Sequence, residues 1–506
     1  MLKKIISFAL LSLLYSNNLI SQVSIEWAER YNNGISGNNG QAITSDDSGN
    51  VYVTGSSYFN ITNRDMVVLK YSSSGLNKWV KREFASRFGS DISVDKFYNV
   101  YVAGDGLYKY DMDGKLLWNS PTPVGGAFYY ISLDDTGNAY VGGSMSGGFY
   151  FITKKISPDG VILWERTYNN LDYNVVRDLT LDNSGSVLIT GQSSQTGSLY
   201  DFVTIKYSNN GDQLWLRRYD AGSDDIPYGI ASDNSNNVYV TGWNRNKTND
   251  ALTIKYSPEG DTLWKAIYDS GGEDVGYDVA VDSLGCIYIG GLTFGNSYLT
   301  LKYNNEGNLL WSRVQPGFLI GPPHPVIKLD KERNIYMSYV SRPSGNNYNY
   351  AVVKYDNNGV QKWIAEYDNK GNSSINYIYD LALDEYANAL VTGRSNGSIA
   401  TVKFIQNSTS INPELSILPL EYKLEQNYPN PFNPTTQLEY EISQIGFVSL
   451  KVYNSLGSEV AVLVNERKPT GKYNVMFDGN NLSSGIYFYR LSAGDFSETK
   501  SMILLK

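Results

Sequence analysis

The stretch DFVTIKYSNNGDQLWLRRYDAGSDDIPYGIASDNSNNVYVTGW, Asp201 to Trp243, holds four short runs: FVTIKYS, QLWLRRY, YGIASD and NVYVTG. In each run β-branched and aromatic residues alternate with small or polar ones, and Gly- and Asn-rich turns separate the runs. That is the pattern of antiparallel strands. The pattern recurs along most of the chain. An Asp ends one strand at Asp46, Asp95, Asp134, Asp182, Asp233, Asp282, Asp330 and Asp384. A Lys marks a later strand at Lys70, Lys109, Lys155, Lys206, Lys255, Lys302, Lys354 and Lys403. Nine residues after each of the first seven Lys stands a Trp: Trp79, Trp118, Trp164, Trp215, Trp264, Trp311 and Trp363. A constant offset means one turn geometry reused, because a slip of one residue turns every side chain to the other face.

A repeat of about 40–50 residues with four strands per unit predicts a β-propeller. We letter the strands outward from the axis: A is the YGIASD type, B is NVYVTG, C is FVTIKYS, and D carries the Trp. There are eight A-B-C sets, but the position nine after Lys403 is Asn412, while Trp27 stands alone before the first A strand. The expected fold is therefore all-β, an eight-bladed propeller closed by the N-terminal strand. Ser24 to Tyr31 should pair with the strand around Thr401 to Phe404. Such closure removes the exposed edges that invite aggregation.

The chain has 506 residues and a formal net charge of −9, with 42 Tyr and 9 Trp. The acidic balance argues against nucleic acid and anionic membranes as partners. One cysteine, Cys286, excludes an intrachain disulfide and reads as a small turn residue. Residues 1–21 read as a signal peptide, with Lys3 and Lys4 ahead of the apolar run IISFALLSLLY. That run is too short for a membrane-spanning anchor. Residues 22–405 form the repeats. Residues 406–421, QNSTSINPELSILPLE, read as a linker. Residues 422–506 carry a different set of short strands, expected to form a small Ig-like β-sandwich.

Chemistry is sparse. His324, in GPPHP, is the one histidine, and it reads as a loop residue rather than a catalytic base. Paired cysteines, H-E-x-x-H and a phosphate-binding glycine loop are all absent from the sequence. What remains is an acidic pattern in two successive D–A loops: Asp220, Asp224 and Asp225, then Asp269, Glu273 and Asp274, near Tyr228 and Tyr277. Consecutive blades would set these on one face as a ligand-binding arc, with calcium at Asp224, Asp225, Glu273 and Asp274 as one reading. Ordinary solvated turn residues are the plain alternative. The recurrent Asp and Lys residues are assigned to stability, Asp in the turns and Lys with covered stems.

Two resemblances extend this reading. Asp233 to Gly242, Ile254-Lys255-Tyr256 and Leu263-Trp264 resemble the bacterial SBBP β-propeller repeat, which implies a fold but no activity. NYPNPFNPTT (Asn427 to Thr436), YNSLGSEV (Tyr453 to Val460), GKYNVMFDG (Gly471 to Gly479), NLSSGIYFYRL (Asn481 to Leu491) and the terminal KSMILLK resemble the type A sorting domain of the type IX secretion system. That resemblance implies handling by the type IX machinery, passage through the periplasm, and a secreted or outer-membrane cell-surface destination. The expected role is a binding or scaffold module for a glycan or surface protein, without enzymatic activity. A polysaccharide-active enzyme on a propeller and a purely structural surface-layer component are the alternatives.

Overall fold

The computed structural model describes residues 22–407 and 421–506, apart from short internal segments at 59, 61–63, 85–87, 123–124, 146–148, 170–172, 195–198, 246, 318–323, 344–346, 370–375, 444–445, 469–470 and 495. The signal peptide and nearly all of the linker lie outside the described residues. The chain divides into two compact units, residues 1–409 and 410–506.

The described part of the first unit holds eight four-stranded antiparallel sheets. Seven are each built from consecutive strands. We number them one to seven in chain order, beginning at residues 39–83 and ending at residues 327–367. Sheet eight combines Asn376–Leu383, Ala389–Ser395 and Ser398–Asn407 with the N-terminal strand Gln22–Tyr31. Ser24 faces Ile405 and Glu29 faces Thr401, the pairing the Trp count predicts. The A strand of each sheet packs on that of the next, and the A strand of sheet one, Asn39–Ser45, packs on Asn376–Leu383 of sheet eight.

The repeat residues explain why the sheets stack. In Asp233-Asn-Ser-Asn-Asn237, Asp233 Oδ1 accepts the backbone N–H groups of Ser235 and Asn237, both at 2.9 Å. Its Oδ2 takes the Tyr239 hydroxyl at 2.9 Å, so one carboxylate fixes the A–B turn and a strand B side chain. Every D-strand Trp but Trp363 donates sideways to the C–D turn of the next sheet. Trp215 Nε1 donates to the Pro258 carbonyl of sheet five at 2.9 Å, and Trp118 Nε1 to that of Pro158 at 2.9 Å. The ring lies on the glycine of that C–D turn. At Gly260, with φ +90°, an added Cβ would come within 2.8 Å of Trp215. The Lys of strand C reaches the same turn, as Lys109 Nζ does to the Pro158 carbonyl at 3.0 Å. These contacts place the recurrent residues in the framework.

The second unit has a three-stranded sheet and a four-stranded sheet. One apolar core draws on both, with Leu438, Tyr440 and Phe477 from the first and Val448, Leu450, Tyr489 and Met502 from the second. Tyr489 anchors the start of the sorting-domain motif: its hydroxyl donates to the Glu425 carbonyl and accepts from Asn427 N–H, both at 2.8 Å.

Candidate ligand-binding site

The A strands of seven sheets share a β-bulge, for example between Val176 and Asp178, Gly276 and Asp278, and Ile378 and Asp380. A bulge leaves one residue outside the ladder and re-aims its side chain. The skipped residues are Gln41, Ser90, Tyr129, Arg177, Tyr228, Tyr277 and Tyr379. All seven line one central cavity of about 800 Å³, to which all eight sheets contribute. Sheet seven has no bulge. Its A strand is only Ile327–Leu329, and His324 and Pro325 line the cavity in place of the bulged residue.

The wall is aromatic. Tyr277 and His324 stack with centroids 3.9 Å apart, and Tyr228 lies 4.6 Å from Tyr277. The Arg177 guanidinium sits over the Tyr228 ring at 5.2 Å and donates to Gln192 Oε1. Burial, reinforced by Arg177, lowers the His324 imidazole to about 4, so it is neutral at pH 7. Its Nδ1 is buried without a hydrogen-bond partner. The loop assignment made from sequence is thus incomplete, because His324 is part of the cavity wall.

One residue further along the bulged strands are four aspartates, Asp91, Asp178, Asp278 and Asp380, from sheets two, four, six and eight. Each staples its sheet to the next. Asp178 Oδ1 accepts its neighbour Leu179 N–H at 2.8 Å, and Oδ2 accepts Ile230 N–H of sheet five at 2.8 Å. Asp91 takes Ile131 in the same way, Asp278 takes Ile327, and Asp380 takes Ile43 of sheet one. Loss of hydration pushes these carboxyls up, Asp91 to about 6, Asp380 to about 7 and Asp178 to about 8, and raises Asp278 as well.

Lys328 enters this ring from sheet seven. It is deep within the fold, yet its side chain is exposed to the cavity. Loss of hydration opposes its charge, but Asp278, Asp380, Asp178 and Asp91 together outweigh that, and its pKa is raised. None of the four is within ion-pair distance of its ammonium, so it acts on them through the cavity rather than by contact.

Of the residues singled out from sequence, Tyr228 and Tyr277 belong to this cavity. The acidic loops do not line it. Asp225 and Asp274 are fully buried, whereas Asp220, Asp269 and Glu273 are exposed. Asp224 accepts the Tyr200 N–H at 3.1 Å and lies 3.8 Å from Arg245. Three carboxylates do converge, those of Asp201, Asp220 and Asp225. Asp224, Glu273 and Asp274 are not part of that group, so the four-residue calcium reading does not match the observed grouping. The sequence reading missed Lys328 and the four aspartates, although both leave a mark. Four residues before the recurrent Asp, every second repeat has Asp, and two before it only the seventh has Lys, where the others have Thr, Ser or Ala.

Comparison with known proteins bears on identity and destination. Residues 426–505 match the secretion system C-terminal sorting domain, and residues 215–243 match the SBBP β-propeller repeat. No curated protein matches the chain. Sqt1 from Chaetomium thermophilum is similar in fold, with 8% identity and a TM-score of 0.52 over 76% of this chain and all of that one. PorZ, an essential surface component of the type-IX secretion system of Porphyromonas gingivalis, aligns at 11% identity with a TM-score of 0.36, covering 92% of this chain and 74% of PorZ. Among the described residues no helix is long and apolar enough to cross a membrane. The chain carries an SBBP β-propeller repeat and a secretion system C-terminal sorting domain, and that domain implies export through the type IX secretion system to the cell surface or beyond.

Proposed function

We propose that this exported protein is a binding module, not an enzyme, and that its ligand sits in the central cavity. The framework we infer is an eight-bladed propeller closed by the N-terminal strand, followed by an Ig-like sandwich. The alternation of aspartates supports the count. Asp380 of sheet eight bonds Ile43 of sheet one just as Asp178 bonds Ile230, and an alternating pattern meets itself only in an even-numbered ring. The observation that carries the binding role is the bulge-built aromatic wall around Lys328. Four raised carboxyls in one cavity would suit acid–base chemistry, but every one of their oxygens already accepts a backbone N–H. That occupancy favours a structural and recognition role over a catalytic one.

The ligand class we favour is a neutral, polyhydroxylated saccharide. Lys328 offers an ammonium that no carboxylate contacts, and the Tyr130 and Tyr379 hydroxyls make no hydrogen bond to protein. Hydroxyl groups satisfy donors and acceptors alike. A net anion meets those of the four aspartates that are ionised, and a net cation meets Lys328 and Arg177. The test is calorimetric titration of the full chain with neutral oligosaccharides, uronic acids and amino sugars. Neutral sugars should bind, and Lys328→Met should weaken binding by about tenfold, roughly 1.4 kcal/mol. Binding of charged sugars alone, no binding at all, or affinity unmoved by Lys328→Met would overturn the reading.

A further inference from the structure

The same acidic trio stands twice at the same repeat positions: Asp201 on the C strand of sheet four with Asp220 and Asp225 at the two ends of the following D–A loop, and Asp250, Asp269 and Asp274 one sheet on. Arg218 beside Asp201 has Ile267 in its place one sheet on, and the buried third carboxylate of each trio is also met differently. In the later loop Ser270 satisfies both oxygens of buried Asp274: its N–H donates to Oδ2 at 2.7 Å and its hydroxyl to Oδ1 at 3.0 Å. In the earlier loop the equivalent residue is Ala221. Its N–H still donates to Asp225 Oδ2 at 2.7 Å, but there is no hydroxyl. Asp225 is 0% exposed, and its Oδ1 is left without a hydrogen-bond partner. The nearby Arg245 N–H donates instead to the Asp224 carbonyl, at 3.2 Å. A buried, unpartnered carboxylate oxygen is costly unless a charge meets it.

The other two carboxylates supply the rest of a site. Asp201, Asp220 and Asp225 each offer an oxygen, all within 4.8 Å of one another. Cross-strand pairing brings this about: Phe202 faces Tyr219, which sets Asp201 at the edge where Asp220 leaves the sheet. Arg218 Nε holds Asp201 Oδ2 at 2.8 Å. Three carboxylates against one guanidinium leave a local charge of two negative units. Asp220 is exposed, which gives the cluster an open side.

We propose that Asp201, Asp220 and Asp225 form a divalent-cation site of the calcium type. The donors are all hard oxygens, with no thiol or imidazole to favour zinc or copper. Calcium tolerates irregular shells of six to eight oxygens, so three carboxylates at a loop, completed by water, suit it better than magnesium with its strict octahedron. The later trio is an internal contrast, because Ser270 already fills the position the ion would take.

The experiment is thermal unfolding of the chelator-treated full chain against calcium chloride and against magnesium chloride at equal ionic strength. Terbium luminescence, sensitised by nearby tyrosines, gives a second readout. Calcium should raise the midpoint more than magnesium, and terbium should report a saturable site. Asp225→Asn should weaken the calcium affinity by about tenfold or more. Ala221→Ser, which copies the later loop, should raise the calcium-free midpoint and weaken the calcium response. Asp274→Asn should leave the response in place. If Asp225→Asn does not fold, Ala221→Ser decides. A wild-type chain that shows neither a calcium shift nor a terbium signal overturns the proposal. So does a response unchanged in Ala221→Ser, or one abolished by Asp274→Asn.

Discussion

Replacing Trp27 and Trp363 by Phe, one at a time, separates the contribution of the N-terminal strand from that of an ordinary D strand. Both rings are buried, at 8% and 4% exposure. Trp27 Nε1 donates to the Ser73 carbonyl at 3.0 Å, and its ring covers Gly75, where an added Cβ would come within 2.7 Å. Trp363 Nε1 has no partner. The cause is topological. The C–D turn that its position would bond does not form, because the third strand of sheet eight runs on to Asn407 and its fourth strand comes from the N-terminus. Each substitution loses a similar apolar volume. Trp27→Phe also loses a hydrogen bond of about 1 kcal/mol, whereas Trp363→Phe removes an unsatisfied buried donor that costs about 1–3 kcal/mol. The two variants should therefore differ by about 2 kcal/mol or more, with Trp27→Phe the less stable. Trp27→Ala should cost about 3–5 kcal/mol. Equilibrium urea unfolding followed by circular dichroism measures these differences. If Trp27→Phe unfolds at the wild-type midpoint, or Trp363→Phe is destabilised as much, then Trp27 does not couple sheet eight to sheet one as described.

The central carboxyls predict a pH dependence. Their folded pKa values lie above the unfolded aspartate value, so the folded state binds the protons more tightly. Stability should rise as pH falls from about 8 through about 6, where Asp178, Asp380 and Asp91 take up protons, and level off near the unfolded value of about 4. The raised Lys328 adds stability that is lost only above about pH 10.5, outside that window. Lys328→Met should therefore cost on the order of 1 kcal/mol at pH 8 and much less at pH 5, since protonated aspartates no longer need the ammonium. A flat midpoint from pH 8 to 5, or an equal loss at both pH values, would refute this. Deletion of residues 422–506 should leave a folded first unit held in the periplasm of a host with the secretion system, and normal surface delivery of the truncated chain, read by fractionation, would refute it.

How much was legible depends on whether a residue repeats. The strands, the A–B turns and the D-strand Trp contacts follow from offsets that recur, because each serves the same contact in successive sheets. Asp233 and Trp215 could be read from their copies, and the displaced Trp27 pointed to its pairing with residues 399–407. The cavity was missed for the opposite reason. Its residues occupy fixed positions but differ from repeat to repeat: Tyr228, Arg177 and Ser90 are equivalent in the ladder and unlike in chemistry. A search for shared residues discards them as noise, although the inward face of the A strand is where the sheets converge and where variation changes what is bound. Lys328 shows the point most sharply, since a small residue in the other seven repeats becomes the one ammonium among four carboxylates. The acidic loops were half legible. Asp220 and Asp225 stood out together, but Asp201 lies 19 positions before Asp220 and joins them only through cross-strand register. Asp224, adjacent in sequence to Asp225, turns instead toward Tyr200 and Arg245. Neighbourhood along the chain was a poor guide there because a strand sends successive side chains to opposite faces. The comparison that exposes the site is between loops of the same chain, where Ala221 stands in the place of Ser270 and leaves one carboxylate oxygen without its donor.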